Sequence, residues 1–151
     1  MAIIRDISAL EPMTAIKVRN MLKKCEEENL PVIVIETRRT QETQILYYLQ
    51  GRLDIKNNKN IVNEYNAMRK KFGLWEVSNN EALFKQVTWT LMSNHFDGKA
   101  VDICPLKDGK PWWNAPDEVW NKLGDIGKAC GLTWGGDWPE PKRDKPHFED
   151  I

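Results

Sequence analysis

The sequence is short of histidine, balanced in charge and without a long apolar run, and each shortage narrows what the chain can be. Its 22 basic and 22 acidic residues cancel, so no net field draws it to nucleic acid or an anionic membrane, and no nucleic-acid partner is expected. A charged partner must be met by a local patch. The three cysteines, Cys25, Cys104 and Cys130, stand far apart with no CxxC pair. That fits neither a zinc ribbon nor a paired disulfide framework and reads as three small buried hydrophobes. No apolar stretch is long enough to span a bilayer. The opening Met1-Ala2-Ile3-Ile4-Arg5-Asp6 meets an acidic residue before any long apolar run, so no secretory signal is read and synthesis as a soluble cytoplasmic product is expected.

What is present suits one domain. At 151 residues the chain can bury a core without disulfide staples. Glu11 to Leu30, with Ile16, Met21, Leu22 and Cys25 among Lys and Glu, has helical spacing and ends at Pro31. Val32-Ile33-Val34-Ile35 reads as a strand buried on both faces. Thr40 can cap a second helix whose Ile45, Leu46 and Leu49 face the core, closed by Gly51. From Leu53 to about Gln86 the pattern weakens to a surface excursion with one short helix near Ile61 to Phe72. Val87-Thr88-Trp89-Thr90 and Ala100 to Cys104 are strand-like and flank a polar turn. Pro116 opens a helix with Val119, Trp120, Leu123 and Ile126 as its buried stripe, and Gly131 stops it. Two short strands joined by a Pro-rich loop end the chain. The expected class is α+β, with helices set against a small, mostly antiparallel sheet.

Both histidines of the chain sit in polar segments marked by Gly or Pro. His95 precedes Asp102 across a turn containing Gly98, so a strand–turn–strand could bring imidazole and carboxylate together. His147 supplies a third donor, and a catalytic zinc site needs three protein ligands with a fourth position left for water. Asp144, three residues before His147, could accept a proton without ligating the metal. On residue type alone the alternative stays open, because a histidine near a carboxylate is often a surface pair. Of seven tryptophans, Trp75, Trp89, Trp120 and Trp134 are read as core. In the Trp112-Trp113 loop at least one ring is expected to be exposed, for packing on a sugar or peptide or for plain packing.

Longer patterns separate these readings. Ser93-Asn94-His95-Phe96-Asp97-Gly98-Lys99-Ala100-Val101-Asp102 resembles the SxHxxGxAxD signature of the M15 zinc peptidases, the family of D-Ala-D-Ala carboxypeptidases and phage endolysins. Asp144-Lys145-Pro146-His147-Phe148-Glu149 resembles its DxPHFE signature, and Trp134-Gly135-Gly136-Asp137-Trp138 the WGGDW segment before it. Upstream, Arg39-Thr40 with Gln44 is similar to the R[ST]xxxQ element, and Gln50-Gly51-Arg52 to the QGR of the L-alanyl-D-glutamate endopeptidase branch.

The resemblance implies that His95, Asp102 and His147 hold Zn2+, that Asp144 is the general base and that Arg39 steadies the oxyanion. Ser93, Gln44 and Trp138 fall to substrate binding. For Arg39 the alternative is an ion pair with Glu36 or Glu42, and neighbouring Arg38 is a rival for its role; for Ser93 it is an ordinary turn serine. The implied substrate is a peptidoglycan stem peptide, cut between L-alanine and D-glutamate. The alternatives are D-Ala-D-Ala carboxypeptidase or dipeptidase activity and, from another class, a non-catalytic zinc-containing wall-binding module. The organisation expected is a single catalytic domain over 1–151, with an insertion at about 53–86 and no separate wall-binding domain, acting as a monomer. An endolysin of this kind would wait in the host cytoplasm and reach the wall through a holin-type pore.

Overall fold

A computed structural model describes residues 3–88, 90 and 93–151. The class is α+β. The chain divides into two compact units, one formed by Ile4–Arg38 and Asn94–Ile151, the other by Met1–Ile3 and Arg39–Ser93. No helix among the described residues is long and apolar enough to cross a membrane.

The first unit is built on an antiparallel sheet. Helix α1 (Pro12–Glu27) starts where the Glu11 carboxylate accepts from the free N–H groups of Met13 and Thr14, with Pro12 in the first turn. It buries Thr14, Ala15, Val18, Met21 and Cys25. Ile16, expected in that stripe, is exposed, because it lies about 200° around the helix from Val18. Strand β1 (Val32–Glu36) is half-buried over its first four residues rather than buried on both faces, since it forms the edge of the sheet order β1-β2-β5-β4. The central strand β2 (Ala100–Lys107) is the most deeply buried, with Ala100, Val101, Ile103 and Cys104 fully covered. A short β3 (Lys110–Pro111) turns back on β2, and α5 (Asp117–Ala129) lays Trp120, Leu123 and Ile126 on the core. Strands β4 (Thr133–Trp134) and β5 (His147–Glu149) complete the sheet. Phe148 of β5 stacks near Trp134 and has no exposed surface.

The second unit corrects several expectations. Thr40 caps α2 (Gln41–Leu49) through the Thr43 N–H, but of its three expected core residues only Leu46 is buried. Ile45 and Leu49 are largely exposed, because the buried face runs through Thr43, Gln44 and Leu46. The stretch read as a surface excursion has its own core, in which Leu46 packs with Val62, Tyr65, Leu74, Val77 and Ala82. It carries α3 (Ile61–Lys71) and a second helix the pattern missed, α4 (Asn79–Phe84), started by a reciprocal Ser78–Glu81 capping box. Trp75 is exposed rather than core, lying over the buried Arg69 guanidinium. Val87, Thr88 and Thr90 are not in a strand, and Trp89 lies outside the described residues.

Candidate metal centre

Sheet register assembles the cluster. Asp102 of β2 stands directly opposite His147 of β5, and residues opposite one another in an antiparallel pair project from the same face. His95 arrives from the turn that precedes β2 rather than from a strand. That turn needs Gly98, whose φ is +74° and where a Cβ would meet the Glu11 backbone nitrogen at 2.9 Å. The Gly98 carbonyl accepts from the Glu11 N–H, which ties the turn to the start of α1. On the other side, Lys17 of α1 pairs with Asp150 at 2.7 Å and holds the end of β5.

The donor atoms of His95, Asp102 and His147 all lie within 4.8 Å of one another. His95 Nε2 is 3.3 Å from Asp102 Oδ1, and His147 Nδ1 is 3.4 Å from the same oxygen. Donors bound tetrahedrally to zinc at about 2.0–2.1 Å stand roughly 3.3–3.4 Å apart, so this spacing and this mix of nitrogen and oxygen fit that ion. Each imidazole turns its other nitrogen elsewhere: His95 Nδ1 lies 2.8 Å from the Thr37 carbonyl, and His147 Nε2 lies 2.6 Å from Glu149 Oε1. Both rings are buried, while the Asp102 side chain keeps 18% exposure.

The electrostatics match a site built for positive charge. Burial opposes ionisation of Asp102, yet the two histidines hold its carboxyl well below the usual range. Burial likewise opposes a charge on His147, but hydrogen bonds to Asp102 and Glu149, with the fields of Asp102 and Asp144, raise its imidazole to about 9. The cluster thus offers carboxylate charge that a proton or a dication can satisfy.

The segment before β5 sets Asp144. Gly135 lets the chain approach closely: a Cβ there would fall 2.4 Å from the Asp144 carbonyl oxygen and 3.1 Å from His147 Cβ. The Gly135 carbonyl accepts from the Asp144 N–H, and the Asp144 carbonyl from the His147 N–H. Trp134 Nε1 donates to the Lys145 carbonyl at 2.7 Å, which pins the intervening loop. Trp138 lies against the His147 ring, 5.0 Å between centroids.

A match over residues 86–150 to the M15 peptidase family described as D-alanyl-D-alanine carboxypeptidase takes in His95, Asp102, Asp144 and His147. Residues 86–150 therefore resemble the M15 peptidases. Solved structures share the fold. The Serratia marcescens L-Ala D-Glu endopeptidase ChiX is 18% identical with a TM-score of 0.59, over 96% of this chain and 83% of that one. A variant of the vancomycin resistance D,D-pentapeptidase VanY, in complex with Zn(II), is 19% identical with a TM-score of 0.56, over 94% and 72%. VanYB in complex with D-alanine-D-alanine is 20% identical with a TM-score of 0.55, over 94% and 71%.

The structure brings together His95, Asp102, His147, Asp144 and Trp138. Arg39, Gln44 and Ser93 fall in the second unit. There Arg39 donates to Gln44 Oε1 at 2.7 Å and lies over the Tyr47 ring, while Gln44 donates to the Thr90 carbonyl. Arg38 is exposed and Arg39 half-buried. Sequence reasoning missed three residues: Thr37 and Glu149, which hold the outer nitrogens of His95 and His147, and Asn94, which donates to Glu149. The signal for Glu149 was its place two residues from His147 on a strand, which puts both side chains on one face. Nothing local marked Thr37, whose contribution is a backbone carbonyl.

Proposed function

We propose that the chain hydrolyses a peptide bond of the peptidoglycan stem peptide in a zinc-dependent reaction, cutting between L-alanine and D-glutamate. The observation that carries the reading is the converged His95–Asp102–His147 donor set with Asp144 beside it. Held by those three residues, zinc supplies a Lewis acid that makes water acidic near neutral pH and polarises a carbonyl. Asp144 takes the proton of the attacking water and returns it to the leaving amine. The buried histidines keep the donor side dry and fixed, and Trp138 against His147 walls one edge of the site. Roles for Arg39 toward the oxyanion, and for Gln44 and Ser93 toward substrate, rest on the motif resemblance.

The choice of bond is supported by the QGR and WGGDW elements and by the likeness to an L-Ala D-Glu endopeptidase. Cleavage at D-Ala-D-Ala is the second reading, favoured by the family description and by the likeness to a protein complexed with that dipeptide. Digestion of purified peptidoglycan followed by mass spectrometry separates them: new N-terminal D-glutamate supports the first, free D-alanine or its dipeptide the second. Asp144→Ala is expected to keep zinc and lose roughly 10²–10⁴ in rate. Full activity in that variant, or in exhaustively chelated protein, removes the mechanism. An endolysin setting, with release from the host cytoplasm through a holin-type pore and action as a monomer, is part of the same proposal. Lysis of a host only when a pore former is co-expressed is its test.

A further inference from the structure

We propose that Glu149 is the positioning residue that makes Nδ1, rather than Nε2, the metal-binding atom of His147, and that Asn94 holds Glu149 in place for that task. The inference rests on the zinc reading above and extends it to groups that do not touch the metal.

A neutral imidazole carries its proton on one nitrogen and its lone pair on the other, and the partner of the first decides which nitrogen can bind a metal. A carboxylate only accepts hydrogen bonds. With Glu149 Oε1 2.6 Å from His147 Nε2, the proton belongs on Nε2, and the lone pair is left on Nδ1, the nitrogen that faces Asp102 at 3.4 Å. The second oxygen of Glu149 is also used, accepting from Asn94 Nδ2 at 2.9 Å. The carboxylate is therefore held at both oxygens, on a strand residue with 6% exposure. Its placement follows from β5, where Glu149 sits across from Ala100 of β2 and Thr133 of β4 and shares a face with His147.

His95 is handled in the opposite sense. Its Nδ1 lies 2.8 Å from the Thr37 carbonyl and its Nε2 turns to Asp102. The two histidines thus present different nitrogens to one point, one ring set by a neutral carbonyl and the other by a carboxylate. A charged partner makes the ring a stronger donor, which is why the contribution of Glu149 exceeds simple alignment.

Zinc-loaded full-length protein with 15N-labelled histidine gives a direct reading by NMR. The expected result is a protonated Nε2 and a metal-shifted Nδ1 for His147, and the reverse pattern overturns the proposal without any variant. Zinc affinity, measured by competition with a chromophoric chelator, follows for the parent, Glu149→Gln and Asn94→Ala. In Glu149→Gln the new amide must face either the imidazole N–H or the Asn94 amide, donor against donor. An affinity loss of roughly 10–100-fold is expected, with a smaller loss for Asn94→Ala. A changed visible spectrum of the cobalt-substituted Glu149→Gln protein marks altered ligand geometry, which a merely structural role would leave alone. Unchanged affinity and spectrum in Glu149→Gln overturn the positioning role while leaving the metal site standing. A parent that binds no zinc removes the underlying reading and this one with it.

Discussion

Gly135→Ala tests how the site is built, because it adds one methyl group and touches no donor atom. The new Cβ would sit 2.4 Å from the Asp144 carbonyl oxygen, 3.1 Å from His147 Cβ and 3.3 Å from Asp144 Cβ. A comfortable carbon–oxygen contact is about 3.3 Å, so the main chain at Asp144 must retreat by about 0.9 Å. No rotamer change relieves it, since the atom met first is backbone. The same carbonyl accepts from the His147 N–H at 3.2 Å, so the strain reaches a proposed ligand. Overpacking of this kind costs about 1–3 kcal/mol, which for a chain of this size lowers Tm by roughly 2–12 °C. Displacing Asp144 by nearly an ångström is expected to cost about 10² in hydrolytic rate. Calorimetry and a stem-peptide assay read the two effects. A variant that melts within a degree of the parent and cleaves at the parental rate refutes the close-approach reasoning.

Three further perturbations probe the scaffold. Arg69 is fully buried; it donates to the Trp75 carbonyl and the Tyr65 hydroxyl, and its Nη2 has no hydrogen-bond partner among the described residues. Arg69→Ala is expected to lose about 3 kcal/mol or more by urea unfolding, and Arg69→Met clearly less because it refills the volume without the desolvated charge; equal losses would contradict this. Phe148→Ala, at a fully buried position between two proposed site residues, should lose about 3–5 kcal/mol and weaken zinc binding in a chelator competition. Burial raises the thiols of Cys25 and Cys104 to about 11. Because those values lie above the ordinary thiol value of 9, the stability they represent is full below pH 9 and is lost as pH rises through 11. Alkylation of native protein at pH 8 should label the half-buried Cys130 well before either of the others, and equal labelling rates would show that burial is not protecting them.

The part of the site that could be read in the sequence is the part encoded by short-range pattern. His95, Gly98, Asp102, Asp144 and His147 lie in compact motifs whose spacing matches one chemistry, and the structure brings the three donors together. Helix positions were likewise visible wherever a cap or a Pro and Gly boundary marked them, as at Thr40, Pro116 and Gly131. Which apolar residues a helix buries was less visible. Ile16, Ile45 and Leu49 satisfy a loose helical pattern, yet small shifts of phase turn them to solvent. Residues 53–86 looked weakly patterned because their core residues, Val62, Tyr65, Leu74, Val77 and Ala82, are spread over two short helices and a loop, and no one period links them.

By itself the sequence determined the donor types, their order and the glycines that let the chain turn beside them, because those are properties of residues a few positions apart. Tertiary structure alone decided which nitrogen of each histidine faces Asp102. That choice depends on the Thr37 carbonyl and on Glu149, brought to the rings by the β1–β2 and β2–β5 pairings. Strand register between distant segments is set by how side chains pack across the sheet, and it leaves no local mark in the chain.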